Sequence, residues 1–165
     1  LASRLPSMDA TTLALLLTRL GRLNEQFLAD HCRAHDTTPA ELQVLMLLHH
    51  HRDGHLSPSA IGGFIVQTSG GLTATLRRLE EAGWIDRLPD PHDGRGRLVA
   101  LTGDGASFHD TVFADLLDRY RLVFADLDDD AALDAVRALM RGFERLAGSS
   151  PSADWTYRPS VTTTT

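Results

Sequence analysis

Residues 68–102 change their hydrophobic period twice, and few folds accommodate that order. Leu72, Leu76 and Leu79 are spaced four and three apart, the repeat of a helix face turned to a core. Gly70, Ala74, Arg77, Arg78 and Glu81 then point outward, with Gly71 and Thr73 at the flanks. Residues 84–88 and 98–101 read as short strands. Pro89, Pro91, Gly94 and Gly96 lie between them and punctuate rather than continue a strand. The segment therefore predicts a helix followed by a β-hairpin.

The remainder predicts helices almost throughout. Leu13, Leu16, Leu17, Leu20, Leu23, Phe27 and Leu28 recur at three- and four-residue steps, marking a long amphipathic helix that fades near His35. Thr38-Pro39-Ala40-Glu41 combines an N-cap hydroxyl, a proline at the first helical position and a glutamate placed to close a capping box, so a second helix runs from there to about His51. Ser57-Pro58 repeats that start for a short third helix over roughly residues 59–65, and Gln67-Thr68 turns into the fourth. After the hairpin, Phe108, Val112, Phe113, Leu116, Leu117, Tyr120, Val123, Phe124 and Leu127 form another apolar stripe. Asp128 or Asp129 then caps a last helix carrying Leu133, Val136, Leu139, Met140, Phe143 and Leu146.

The expected fold is mainly α with a small β-hairpin wing, about six helices and two to three short strands. A winged helix-turn-helix head occupies about residues 38–102 of a single domain over 9–147, and helices over about 9–35 and 104–147 form a dimerisation region. Residues 1–8 and the Ser-, Pro- and Thr-rich residues 148–165 read as disordered segments.

A chain of 165 residues with 42% hydrophobic content suits one packed domain. No apolar run reaches the ~18 residues of a membrane span and no secretion signal opens the chain, so a cytoplasmic location without membrane partners is expected. Cys32, the only cysteine, excludes an internal disulfide. No nucleophile elbow, phosphate-binding loop or paired metal-ligand motif is present, which argues against an enzyme and leaves no cofactor to expect. The formal charge of −6 argues at first against a nucleic-acid partner. Its distribution reverses that. Residues 67–79 hold two arginines and no acid, whereas residues 104–134 hold nine aspartates against Arg119 and Arg121.

Helix-turn-helix followed by a charged hairpin is the combination expected of a DNA reader. The outer N-terminal half of the fourth helix is small and neutral, as close approach to base edges in a major groove requires. Thr68, Ser69 and Thr73 are placed to donate to phosphates or bases, and Arg77 and Arg78 to reach phosphates or guanine. Ser57, Ser59, Gly70, Gly71, Thr75 and Arg97 complete the candidate contact set. Arg95, between two glycines at the hairpin tip, suits a narrow minor groove, and Asp93 is placed to pair with it and orient it. A plain solvated hairpin is the alternative for this loop.

The run DPHDGRGRLVALTGDG over residues 90–105 resembles the wing of the MarR family of winged helix-turn-helix transcription factors: Asp-Pro-x-Asp-x-Arg, a strand, then Leu-Thr-x-x-Gly. Leu79-Glu80-x-x-Gly83 with Trp84-Ile85-x-Arg87 is similar to the family's junction between recognition helix and wing. The resemblance covers about residues 13–146. It implies that Arg95 is the minor-groove arginine and Asp93 its brace, and that residues 69–77 meet the major groove. It also implies an obligate homodimer, which the excess apolar face of the long helices supports separately. A two-fold dimer predicts a pseudo-palindromic double-stranded operator with half-sites ~10 bp apart. The resemblance further implies a repressor that a small aromatic or anionic effector releases.

The same resemblance places an effector beside Phe27, His31, His35, Leu42 and Met46; a packed core without ligand is the alternative. His31 and His35 lie one turn apart and His49, His50, His51 and His55 follow the second helix, but no carboxylate or cysteine stands at an established ligand spacing, so no metal is expected. Cys32 reads as a buried, inert thiol rather than a redox switch. A helical dimeric interaction module, or a metal- or redox-sensing one, is the alternative function.

Overall fold

The computed structural model of the protein describes residues 9–65, 69–93 and 96–147. Among these lie six helices and three strands: α1 (Ala10–Ala34), α2 (Pro39–His50), β1 (His55–Leu56), α3 (Pro58–Phe64), α4 (Ser69–Glu81), β2 (Ile85–Pro89), β3 (Arg97–Leu101), α5 (Gly103–Phe124) and α6 (Asp129–Ala147). The chain divides into two compact units, residues 1–112 and 113–165, with α5 running across the boundary.

The starts of α1, α2, α3 and α6 follow from their capping chemistry. Thr38 and Glu41 form a complete capping box: Oγ1 of Thr38 accepts from the Glu41 amide at 3.3 Å, and the Glu41 carboxylate accepts from the Thr38 amide at 2.9 Å. Ser57 caps α3 by accepting from the Ala60 amide at 3.2 Å. Asp128 caps α6 by accepting from Ala131 at 2.9 Å. The first helix begins at Ala10, earlier than its leucine stripe indicates, because Asp9 accepts from the Thr11 amide and the Thr12 hydroxyl, both at 3.1 Å. Those two bonds also hold the Asp9 carboxyl below its ordinary range.

In the first unit, Val44, Leu45, Leu47 and Leu48 of α2 pack with Ile61, Ile65, Leu72, Leu76, Leu79, Leu56, Ile85 and Val99. The stripe read from Leu72, Leu76 and Leu79 is the buried face of α4, with exposures of 8%, 2% and 1%. The sheet is antiparallel in the order β1-β3-β2, with Leu56 opposite Val99 and Ile85 opposite Leu101. β1 is too short for a period-2 signal; its two residues pair with β3 because the chain between α2 and α3 passes beside it.

Gly83 sits between α4 and β2 at φ +74°, with open space where a side chain would go. Gly83→Ala is therefore expected to lose ~1 kcal/mol to left-handed strain without a steric clash, measurable by urea unfolding.

The second unit contains the remainder of α5 and all of α6. Leu122, Val123, Phe124, Leu127, Leu133, Val136, Met140, Phe143 and Leu146 are exposed there, as are Leu15, Leu16, Leu20 and Leu23 on α1. Open grooves of about 450 Å³ run along α6 beside Leu139, Phe143 and Leu146 and along α1 beside Leu13, Leu16 and Leu20. No described helix is long and apolar enough to cross a membrane.

Candidate nucleic-acid interface

The helix α4 is presented by its neighbours on two sides. α3 approaches closely enough that a Cβ on Gly62 would meet Leu72 Cδ2 at 3.3 Å. α2 is tied to it through a buried acid: Glu41 Oε1 accepts from Arg78 Nε at 2.6 Å, while Glu41 Oε2 accepts from Thr37 Oγ1 at 3.1 Å. Burial pushes the Glu41 carboxyl up, but the bonds from Arg78, Thr38 and Thr37 outweigh it, and the group titrates below its ordinary range.

The outward face of α4 falls into two halves. Gly70 and Thr73 are exposed and Gly71 and Ala74 half-exposed, so the N-terminal half carries no ionisable group. The C-terminal half is charged and largely paired: Arg77 lies 3.7 Å from Glu81, and Arg87 of β2 lies 2.9 Å from Glu80. Arg77 remains 71% exposed, which leaves its guanidinium accessible from outside.

The geometry bears on two candidate contacts. Thr75 is only 2% exposed and faces inward, away from the outer face of α4. One position after Ala74 on a 3.6-residue turn carries a side chain ~100° round the axis, here into the packed side. Arg78 donates through Nε to Glu41 at 2.6 Å and through Nη2 to Thr75 Oγ1 at 3.5 Å, so the fold holds part of its guanidinium while 46% of the side chain stays exposed. This pairing is not legible from local pattern, because Glu41 and Arg78 are 37 residues apart.

The hairpin loop is closed at its base. Asp90 accepts the His92 amide at 2.8 Å, and the Asp90 amide donates to the Gly96 carbonyl at 3.2 Å. Gly96 in turn donates to the Asp93 carbonyl at 2.8 Å. Asp93 and Arg97 are both exposed, and Arg97 Nη1 folds back onto the Gly96 carbonyl at 2.9 Å. Arg95, Gly94, Thr68 and the Ser69 side chain lie outside the described residues, and with them the Asp93–Arg95 pairing. At the start of α3, Ser57 Oγ is engaged as a cap and lies 3.0 Å from Ser59 Oγ, which is exposed.

The base of the hairpin is locked to α5 by contacts the sequence analysis missed. Thr102 donates its amide to the Trp84 carbonyl at 3.1 Å and its hydroxyl to the Gly83 carbonyl at 2.8 Å, and it accepts from the Gly105 amide at 2.9 Å. Trp84 stacks on Phe108 with ring centroids 3.8 Å apart. The Leu-Thr-x-x-Gly run is the signal that could have revealed this joint.

The residues expected beside an effector lie in the first unit. His31 is fully buried and its Nε2 lies 3.1 Å from the Val112 carbonyl oxygen; Leu42 is 4% exposed. Phe27, His35 and Met46 are half-buried, and the His31 and His35 rings lie 4.8 Å apart. Cys32 is buried at 0% exposure, and burial, with Glu41 nearby, pushes its thiol up to about 11, so the thiolate is scarce near neutral pH.

A three-helix head whose last helix, α4, has a neutral outer half, followed by a closed hairpin, defines a winged helix-turn-helix protein. Comparison with known proteins makes the assignment narrower. The profile described as "MarR family" matches residues 35–96. The multiple antibiotic resistance protein MarR of Salmonella typhimurium is 34% identical over 95 residues, 58% of this chain and 65% of that protein. The regulator MhqR of Bacillus subtilis is 30% identical over 103 residues, covering 62% and 70% respectively. Among solved structures, a mutant MarR from E. coli complexed with operator DNA superposes with a TM-score of 0.67 at 26% identity, covering 79% of this chain and 92% of that one. AbsC, a MarR family transcriptional regulator from Streptomyces coelicolor, shares the fold with a TM-score of 0.77 at 20% identity, over 89% and 100%. This chain belongs to the MarR family. Its match spans about 65% of the length of the MarR proteins it resembles.

Proposed function

We propose that this protein is a DNA-binding transcriptional regulator, not an enzyme, and that it occupies a pseudo-palindromic operator as a homodimer and represses by blocking access to the promoter. The observation that carries the reading is the uncharged, small-residue N-terminal half of α4, held outward beside a closed hairpin. Bulk or fixed charge there would keep a helix off base edges. The contact set is Ser59, Thr68, Ser69, Gly70, Gly71, Thr73 and Arg77 for the major groove and adjoining phosphates, with Asp93, Arg95 and Arg97 at the wing; Ser57 serves as the cap that sets α3. The named functions of the relatives, and one of them being complexed with operator DNA, support the same reading.

A second copy of the chain is the occupant proposed for the exposed leucines of α1 and the exposed apolar residues of α5 and α6. Two-fold pairing would set two α4 helices on successive turns of one duplex face. An effector lodged near Phe27, His35 and Met46, with His31 and Leu42 behind them, would alter that spacing and release the DNA.

The test is a shift of the protein's own upstream intergenic DNA, followed as salt is raised. Binding is expected to weaken with a log–log slope of ~0.9 per phosphate neutralised, and Arg95→Ala to weaken it at least ~10-fold while leaving the melting temperature unchanged. No shift at low salt, with the chain dimeric by light scattering, would identify a protein-interaction module instead.

A further inference from the structure

The junction of α2 and α5 brings together three side chains that the wing and recognition helix do not use. His49, at the end of α2, and His109 and Asp110, in the second turn of α5, converge within the first unit. Asp110 Oδ1 lies 3.5 Å from His49 Nε2 and 3.1 Å from His109 Nδ1, and the three candidate ligand atoms all lie within 4.8 Å of one another. Bonds of ~2.0–2.1 Å around a tetrahedral zinc place neighbouring ligand atoms ~3.3 Å apart, and the two short distances bracket that value. We propose that His49, His109 and Asp110 form a binding site for a divalent first-row transition metal of the zinc type.

The surroundings suit such an ion. His109 and His49 have side-chain exposures of 2% and 18%, so two ligands are shielded, while Asp110 at 65% leaves an entry path and room for water as a fourth ligand. The two imidazoles lie nearly parallel with centroids 4.2 Å apart, so a shared ion requires one ring, the less buried His49, to turn until its lone pair converges with that of His109. Two imidazoles and one carboxylate are a donor set for zinc, iron, cobalt or nickel rather than calcium or magnesium. The sequence concealed this group because His49 and Asp110 are far apart in the chain and only one of the three consecutive histidines contributes.

The site depends on the packing of α2 against α5 and not on the DNA-binding reading, so each can fail without the other. Its functional consequence would be a clasp between the head and the first turns of α5. The experiment is a titration of metal-free full-length protein with Zn²⁺ against a chromophoric chelator, with Co²⁺ absorption reporting geometry. One equivalent per chain is expected. Its affinity should fall at least tenfold in Asp110→Asn, a surface-accessible change, and in His49→Gln, and stay unchanged in His51→Gln. Bound Zn²⁺ should also raise the melting temperature of the parent and not of Asp110→Asn. Absence of stoichiometric binding, equal affinity in the parent and Asp110→Asn, or an equal loss in His51→Gln would each overturn the site.

Discussion

Gly105→Ala is expected to destabilise the protein by more than ~3 kcal/mol, enough to leave it largely unfolded at 37 °C. A Cβ at this position would be driven into the backbone carbonyl of Trp84, whose carbon would stand only 2.8 Å away, and would meet Leu101 Cδ1 at 3.0 Å. Backbone atoms cannot swing aside as a flexible side chain can. The Trp84 carbonyl is held by the Thr102 amide, Thr102 is held by Gly83, and Trp84 itself is stacked on Phe108. Relief would require separating the start of α5 from the base of the hairpin. Gly103 supplies the control, since nothing lies within 4 Å of the place its Cβ would occupy. Gly103→Ala should be neutral or stabilising by a few tenths of a kcal/mol, because alanine is the better helix former. Urea unfolding of the two variants side by side checks both; equal effects would refute the close approach at Gly105.

Glu41→Ala is expected to cost ~3 kcal/mol. Loss of the capping partner accounts for ~1 kcal/mol. Removal of the acceptor for Arg78 and Thr37 accounts for the rest, discounted because Arg78 has 46% of its side chain in solvent and can be partly rehydrated. The pH dependence has a definite sign. The folded protein holds the Glu41 carboxyl below its ordinary value of 4.5, so its contribution is present above that pH and disappears as pH falls through the depressed folded value. The isosteric change Glu41→Gln should lower stability at neutral pH and flatten its decline below about pH 4.5. A stability profile against pH for parent and variant is the measurement; parallel curves would show that Glu41 is not the titrating group.

Much of the architecture was legible because its causes are local. The capping residues Thr38, Glu41 and Ser57, the apolar spacing of Leu72, Leu76 and Leu79 and the prolines of the hairpin act within one or two turns of themselves. The exposure of Gly70, Arg77 and Glu81 followed from helical period alone. The burial of Thr75 was not legible, because an inward-facing threonine reads like any other polar residue until its neighbours are known. The pairing of Arg78 with a buried acid was hidden for a different reason: the acid stands 37 residues away. The histidine cluster was illegible for the same reason, since α5 supplies the carboxylate that α2 lacks.

The bond from the Asp90 amide to the Gly96 carbonyl closes the hairpin loop below its tip. The ladder of β2 with β3 ends at Pro89 opposite Arg97, and the described core behind it draws on Ile85 and Val99, below that clasp. A change in tip length or sequence would therefore not propagate into the fold, and one scaffold can explore new targets by varying those few positions without risking its stability.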